Sequence, residues 1–535
     1  MERRTFFKGF AAALAAAPAL PQIAAALSDY LQALKADLAV AGAAAAYWQR
    51  VKEEFLLEPG LLHFNCGSIG AVPRPVVETL KAYIDRLETN PYNYVWEGFP
   101  DAKIIELVNK AKGFLNGWNG DILFTRNTTE GMNLVATGLQ LKAGDEILTT
   151  DHEHPGGIYG WLHLAQQQGV RVRQLHLPTP VTSKAQILQL VEDSITPQTR
   201  VCSFSHVNTT TGLLMPLADI AALTAPKGIL LVCDGAQAPG MLDVSVTALK
   251  VDAYASSSHK WMLAPKGCGL LYVRKAVQDR IRPISAFAEN GGSQYGPYTG
   301  ATGTRNVPQL LAHGDAMDFH TLFGKPRVEA RLRQLCTYLR QRLVAIPHLV
   351  PLTPEVPELS SAMVAYRVQG STPTYIYGEL AKRRIIVKHA SFNWVLPGNT
   401  DLPRETVETL RFSTHLFNDE AQIDQLVEAI AEILGVKTAV GMEIQTEPAA
   451  STLEANYPNP FNASTRIEYE LSRAEQVQVA VYDAQGQLIE TLKQGFQEAG
   501  RHQLTWDAGR RATGTYFYQV KTSGVQQTRK MLLLR

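Results

Sequence analysis

The apolar run GILLVC at 228–233 predicts a buried strand that ends at Asp234. A second strand is expected from GCGLLYVR at 267–274, directly after the serine-rich segment SSSHKWMLAPKG at 256–267. The segment ILFTRNTTEGMNLVATGL at 122–139 reads as strand, turn and then a helix starting near Thr128 or Thr129. Strands and helices in this succession point to an open α/β sheet, which places ligands at the carboxyl ends of its strands. After Gly435 the texture changes. TAVGMEIQTEPAASTLEAN at 438–456 has no strong period and reads as a linker. From Tyr457 onward, apolar and polar residues alternate between Gly and Asp turns, which predicts a small antiparallel β-sandwich.

Candidate chemistry gathers at those strand ends. Lys260, between His259 and Trp261, reads as an amine held for covalent chemistry, and Asp234 supplies an acid at a neighbouring strand end. Alone, the lysine could be a surface charge and the aspartate a helix cap. Together they meet the needs of pyridoxal phosphate, which requires a lysine for covalent attachment and an acid to keep its ring nitrogen protonated. The helix start at Thr128 and Thr129 adds a third element, because unpaired amides and the macrodipole there favour a phosphate. An ordinary threonine cap with Glu130 in the first turn would look the same.

Taken as a set, these motifs resemble the class V aminotransferase family of pyridoxal phosphate fold-type I, in the branch of isopenicillin N epimerase and cysteine desulfurase. The resemblance runs from about Leu57 to Gly435 through LHFNCGSIGAVP, TTEGMN, DHEH, DGAQ, SSHKW and GTRN. It implies a large, mixed, mostly parallel sheet domain over about 70–310. A small α+β domain would come from the amino-terminal segment and 311–435. It further implies that Lys260 carries the cofactor, Asp234 pairs with its ring nitrogen, Gln237 bonds its phenolic oxygen and His154 stacks on its face. Thr128, Thr129, Ser257 and His259 match phosphate ligands, and Thr304 matches a residue that reaches a partner's phosphate across a homodimer interface. In SHVNTTTG, the family's asparagine one position after Asn208 is Thr209, so either residue could approach the cofactor. Arg411 matches the clamp for a substrate α-carboxylate, a task suited to its planar fork.

Cysteine usage narrows the chemistry. Desulfurases carry a nucleophilic cysteine on a loop shortly before the clamp arginine. The stretch VKHASFNWVLPGNTDLPRETVETLR at 387–411 has none. Cys66, Cys202, Cys233, Cys268 and Cys336 all lie earlier, mostly in apolar contexts that suit small buried thiols. The expectation is proton transfer at the α-carbon of an amino acid, as in an epimerase, racemase or aminotransferase, with Lys260 as general base. A C–S lyase or desulfurase-like reaction, or an inactive surface-binding protein, are the alternatives.

The two ends suggest a location. Arg3 and Arg4, followed by Phe6, Phe7, Lys8 and an Ala-rich stretch, resemble a twin-arginine export signal over 1–27. Pro18 and Pro21 break that stretch and argue against a stable membrane span. YPNPFN, a TWD turn, the GTYFY strand and KMLLLR resemble a type IX secretion sorting domain over 456–535, joined by a linker over 436–455. Export to the periplasm and then the cell surface or medium is the expectation. Net charge is +1 across 535 residues and no long basic run occurs, so nothing points to nucleic acid. The five scattered cysteines form neither a metal-ligand spacing nor a disulfide framework.

Overall fold

The computed structural model describes residues 9–14, 19–40, 44–97, 101–282, 304–392, 395–396, 399, 406–436, 452–453, 456–471, 475–498, 500–522 and 526–534. The chain forms two compact units, Met1–Thr438 and Ala439–Arg535.

The first unit is built on a seven-stranded sheet. Its strands are β1 (Gly120–Thr125), β2 (Glu146–Thr150), β3 (Arg171–Leu175), β4 (Thr199–Ser205), β5 (Leu230–Asp234), β6 (Ala253–Ser257) and β7 (Gly269–Arg274). Their spatial order is β1-β7-β6-β5-β4-β2-β3. Strands β3, β2, β4, β5 and β6 run parallel, and β7 pairs antiparallel with both β6 and β1. This is the mixed, mostly parallel sheet that the sequence leads one to expect. Helices on both faces explain why β5 is apolar up to Asp234. Leu230 and Val232 face one cluster with Met132, Val135 and Trp161, while Leu231 and Cys233 face the other with Phe204 and Tyr254.

Five helices matter for the site: α1 (Leu20–Ala39), α2 (Arg74–Thr89), α3 (Thr128–Gly138), α4 (Pro155–Gln168) and α5 (Val307–Phe323). Helix α1 lies against α2 and α5. It buries Ile23, Leu27, Tyr30 and Leu34, and the Tyr30 hydroxyl donates to Glu54 at 2.7 Å. The boundary expected at residue 27 therefore falls inside a packed helix. Arg3, Arg4 and Phe6–Lys8 lie outside the described residues, as does most of the expected linker.

A four-stranded antiparallel sheet forms the small domain: β8 (Leu349–Pro351), β9 (Met363–Val368), β10 (Lys388–Phe392) and β11 (Val407–Ser413), in the order β10-β11-β9-β8. The amino-terminal segment joins it, because Leu62–His63 pairs with Ile385–Ile386 and the Ser413 N–H donates to the Phe64 carbonyl at 2.9 Å. This join carries Asn65, Gly67 and Ser68 to the substrate end of the site.

The second unit has two antiparallel sheets. Thr452–Leu453, Ser464–Leu471 and Gly500–Asp507 form one, and Glu475–Tyr482, Leu488–Gln497, Gly514–Lys521 and Gln526–Leu533 form the other. Trp506, Tyr516 and Tyr518 are core residues, as expected. The TWD segment differs from expectation: Thr505–Asp507 end a strand, and Asp507 Oδ1 accepts from the Gly509 N–H at 2.8 Å to open the turn that follows. Among the described residues no helix is long and apolar enough to cross a membrane.

Candidate active site

The segments that follow β4 and β6, the first turns of α3 and α4, and the small-domain strands β10 and β11 surround a cavity of about 640 Å³, with the carboxyl end of β5 behind its wall. Lining it are Asn127, Thr129, Glu153, His154, Thr209, Ser257, His259, Lys260, Lys388 and Arg411, with Gly67 and Ser68 from the amino-terminal segment.

Lys260 sits just beyond β6, and its backbone is held from behind. The Trp261 carbonyl accepts from both His320 Nε2 and His415 Nε2 at 2.9 Å, and the Trp261 indole donates to Gln237 Oε1 at 2.8 Å. Gly240, at φ +93, packs where an added Cβ would lie 2.4 Å from the Trp261 carbonyl carbon, so glycine is required there. The amine itself makes no hydrogen bond or ion pair among the described residues. Loss of hydration lowers its pKa to about 8; the Asp234 carboxylate opposes that shift and the Arg411 guanidinium adds to it. A lysine poised this way is neutral far more often than a surface lysine, and only the neutral amine is a nucleophile or base.

Asp234 ends β5 as expected and is buried. Its Oδ1 accepts from the Ala236 N–H at 2.9 Å, while Oδ2 has no hydrogen-bond partner among the described residues. Helix α4 comes so close that a Cβ added at Gly157 would lie 2.7 Å from Oδ2. His154 caps α4: its Nδ1 accepts from the Gly156 N–H at 3.0 Å, which places the ring proton on Nε2 and fixes the ring at the cavity wall. Beside it, Glu153 is buried. It accepts from Thr150 Oγ1 at 2.8 Å, from the Ser205 N–H at 3.0 Å and from the Ser205 hydroxyl. Burial is the largest influence on its carboxyl and pushes the pKa up to about 7.

At the other end, Asn127 rather than a threonine caps α3, accepting from the Glu130 N–H at 2.9 Å. The Thr128 N–H donates to Ser257 Oγ at 3.0 Å, and the two hydroxyls lie 2.8 Å apart. Thr129, Ser257 and His259 line the cavity here, with Thr128 one layer behind. His259 is oriented by Nδ1, 3.1 Å from the Cys268 carbonyl. Thr304 is exposed and does not line this cavity.

Arg411 on β11 closes the substrate end. It is 2 % exposed and makes no ion pair among the described residues. Nη1 donates to the Thr209 carbonyl at 2.7 Å and its hydroxyl at 3.1 Å; Nη2 donates to Asn65 Oδ1 at 2.8 Å and Ser68 Oγ at 3.1 Å. Nε has no partner. Loss of hydration lowers the guanidinium pKa to about 10.

Asn208 and Thr209 differ in position. Asn208 is buried, with Oδ1 accepting from Thr210 and Thr211 and Nδ2 donating to the His152 carbonyl at 2.8 Å. Thr209 lines the cavity. Gln237 lies behind the cavity wall, like Asp234. Its Nε2 donates to the Gly67 carbonyl and to Thr209 Oγ1, both at 2.9 Å, so it stands behind Thr209 rather than in the lining. All five cysteines are buried and free. Asn65, Gly67, Ser68, Asn127 and Lys388 were not singled out as site residues in the sequence.

Residues 70–426 match the aminotransferase class-V family. The chain belongs to that family. It is 32 % identical over 409 residues to the isopenicillin N epimerase of Amycolatopsis lactamdurans, spanning 73 % of this chain and 99 % of that protein. It is 26 % identical over 392 residues to a probable cysteine desulfurase of Methanothermobacter thermautotrophicus, spanning 70 % of this chain and 95 % of that protein. Among solved structures, C-DES with glycine covalently linked to its PLP cofactor superposes with a TM-score of 0.60 at 25 % identity, covering 71 % of this chain and 99 % of that one. Residues 459–525 match the FlgD Ig-like domain.

Pyridoxal phosphate is the cofactor of this fold, and the residues present fit it. Lys260 offers an unpaired amine and Asp234 an open carboxylate oxygen for the ring nitrogen. The start of α3, with Ser257 and His259, offers donors for the phosphate.

Proposed function

We propose that this enzyme acts at the α-carbon of an amino acid, as an epimerase, racemase or aminotransferase. Arg411 carries the reading: a buried guanidinium without a counter-ion among the described residues, facing the same cavity as a lysine of lowered pKa that is likewise unpaired among them. When bound, pyridoxal phosphate holds the substrate's amino group and draws off the electron pair released at the α-carbon. Asp234 Oδ2 keeps the ring nitrogen protonated so that this electron demand persists. The Arg411 fork fixes the α-carboxylate and, with it, the direction of the α-hydrogen. Lys260, neutral at its Nζ, accepts that proton. His154 covers the wall between them and keeps water from the reacting carbon.

The outcome depends on where a proton returns: to the opposite face of the α-carbon in epimerisation, or to the cofactor in transamination. Similarity to the epimerase covers nearly all of that relative's length and supports the first outcome. A C–S lyase or desulfurase-like reaction is the second reading, supported by the relatives of those names. The absence of a cysteine from 387–411 weighs against the thiolate route. Incubating the holoenzyme with single amino acids and assaying inversion, keto acid and sulfide separates the three. Sulfide from cysteine as the sole product would displace the epimerase reading.

The same proposal places the enzyme outside the cytoplasm as a homodimer. Arg3 and Arg4 before an Ala-rich run, and the β-sandwich with its YPNPFN and KMLLLR ends, support export through both termini. Thr304, exposed and away from its own cavity, suits contact with a partner's phosphate. Lys at both Arg3 and Arg4 should retain the protein in the cytoplasm; unchanged export would refute that part.

A further inference from the structure

The cavity holds more positive charge than an α-carboxylate consumes. Lys388 on β10 is the direct antiparallel partner of Arg411 on β11, so the two side chains leave the same face of the sheet. Both line the cavity. Lys388 is exposed at this wall and has no hydrogen bond or ion pair among the described residues. Loss of hydration and the Arg411 charge both lower its pKa, as expected of two cations side by side.

Among the described residues, Glu153 is the only carboxyl in the lining, and its oxygens accept hydrogen bonds from Thr150 and Ser205. Asp234, behind the lining, acts on Lys260 rather than on these two cations. The phosphate end is separate: Asn127, Thr129, Ser257 and His259 belong to the large sheet and α3, whereas Lys388 and Arg411 belong to the small-domain sheet. A monocarboxylic amino acid brings one negative charge to Arg411 and leaves Lys388 unmatched. A second carboxylate on the side chain would match it.

Resting on the α-carbon reading above, we propose that the site takes amino acids bearing a second anionic group on the side chain, with Arg411 holding the α-carboxylate and Lys388 the second carboxylate. Lys388 is thereby a specificity-determining residue rather than a catalytic one.

The test compares carboxylates with their carboxamide isosteres: L-glutamate with L-glutamine and L-aspartate with L-asparagine. Dissociation constants come from the absorbance change of the holoenzyme's bound cofactor and, independently, from calorimetry. For at least one pair the wild-type protein should prefer the acid about tenfold, equivalent to about 1.4 kcal/mol. Lys388→Gln should bring that ratio near one, and Lys388→Arg should restore it. A ratio that survives in Lys388→Gln overturns the proposal. So does equal weakening of acid and amide, which would mean that Lys388 shares the α-carboxylate. Equal binding of acid and amide by the wild-type protein overturns this proposal alone. A holoenzyme that responds to other L-amino acids but to none of the four overturns this proposal alone, and one that responds to no L-amino acid overturns the α-carbon reading as well.

Discussion

Replacing Arg411 with methionine should leave the protein folded while abolishing its preference for carboxylates. The guanidinium is buried without a counter-ion among the described residues, and its pKa is lowered to about 10, a shift worth roughly 3 kcal/mol in the cost of holding the charge there. Methionine removes that cost. It also removes four hydrogen bonds, to Thr209 O and Oγ1, Asn65 and Ser68, each worth about 0.5–1.5 kcal/mol net. The four bonds total about 2–6 kcal/mol, so the two effects partly offset and urea unfolding should show a change of at most about 3 kcal/mol. Binding is offset less. The carboxylate takes the open Nε–H and exchanges one neutral Nη contact, so a bidentate pair worth roughly 3 kcal/mol leaves a net of about 2 kcal/mol, roughly thirtyfold in Kd. The assay is titration of the holoenzyme with alanine and with ethylamine, which lacks the carboxylate. Wild type should strongly prefer alanine, and Arg411→Met should bind the two about equally. Equal binding by the wild-type protein, or loss of ethylamine binding along with alanine in the variant, would refute the clamp.

Lys260 has its folded pKa lowered to about 8, so between that value and its ordinary range the folded apoprotein binds fewer protons than the unfolded chain. Stability should therefore rise as pH increases from about 8 toward 10 and lose that rise in Lys260→Met, as read by unfolding at fixed ionic strength. Cofactor attachment by the apoprotein, followed by absorbance, should accelerate as pH rises through about 8 and level off above it. Glu153 is shifted the other way, to about 7, so it costs stability as pH rises from about 4.5 to 7. Glu153→Gln should flatten that slope in urea unfolding series. Gly157→Ala, whose Cβ would lie 2.7 Å from Asp234 Oδ2, should weaken cofactor retention at least tenfold in dialysis and leave the circular dichroism unchanged. Removing residues 1–27 strips Phe10, Leu14, Ile23 and Leu27 from the core and should cost about 6–12 kcal/mol, whereas removing 1–18 strips Phe10 and Leu14 alone and should cost about half as much.

The large sheet was legible because buried parallel strands leave unbroken apolar runs, and GILLVC ending at Asp234 is such a run. Lys260, His154 and Arg411 were legible through local motifs. What the sequence hid depends on contacts between distant segments. Asn65, Gly67 and Ser68 reach the site only because Leu62–His63 pairs with Ile385–Ile386. Lys388 becomes meaningful only through its register with Arg411. Gln237 carries the right motif, yet its amide orientation is set by the Trp261 indole, which a linear reading does not reveal. Helix α1 was obscured because an Ala-rich export signal and an Ala-rich packed helix share a composition.

The most direct test of α-carbon chemistry is hydrogen exchange in D2O, followed by proton NMR over a panel of L-amino acids with the holoenzyme. The α-hydrogen of at least one amino acid should be replaced by deuterium, and Lys260→Ala should abolish the exchange while still binding that amino acid. Sulfide release with no α-hydrogen exchange, or exchange undiminished in Lys260→Ala, would contradict the assignment of Lys260 as the base.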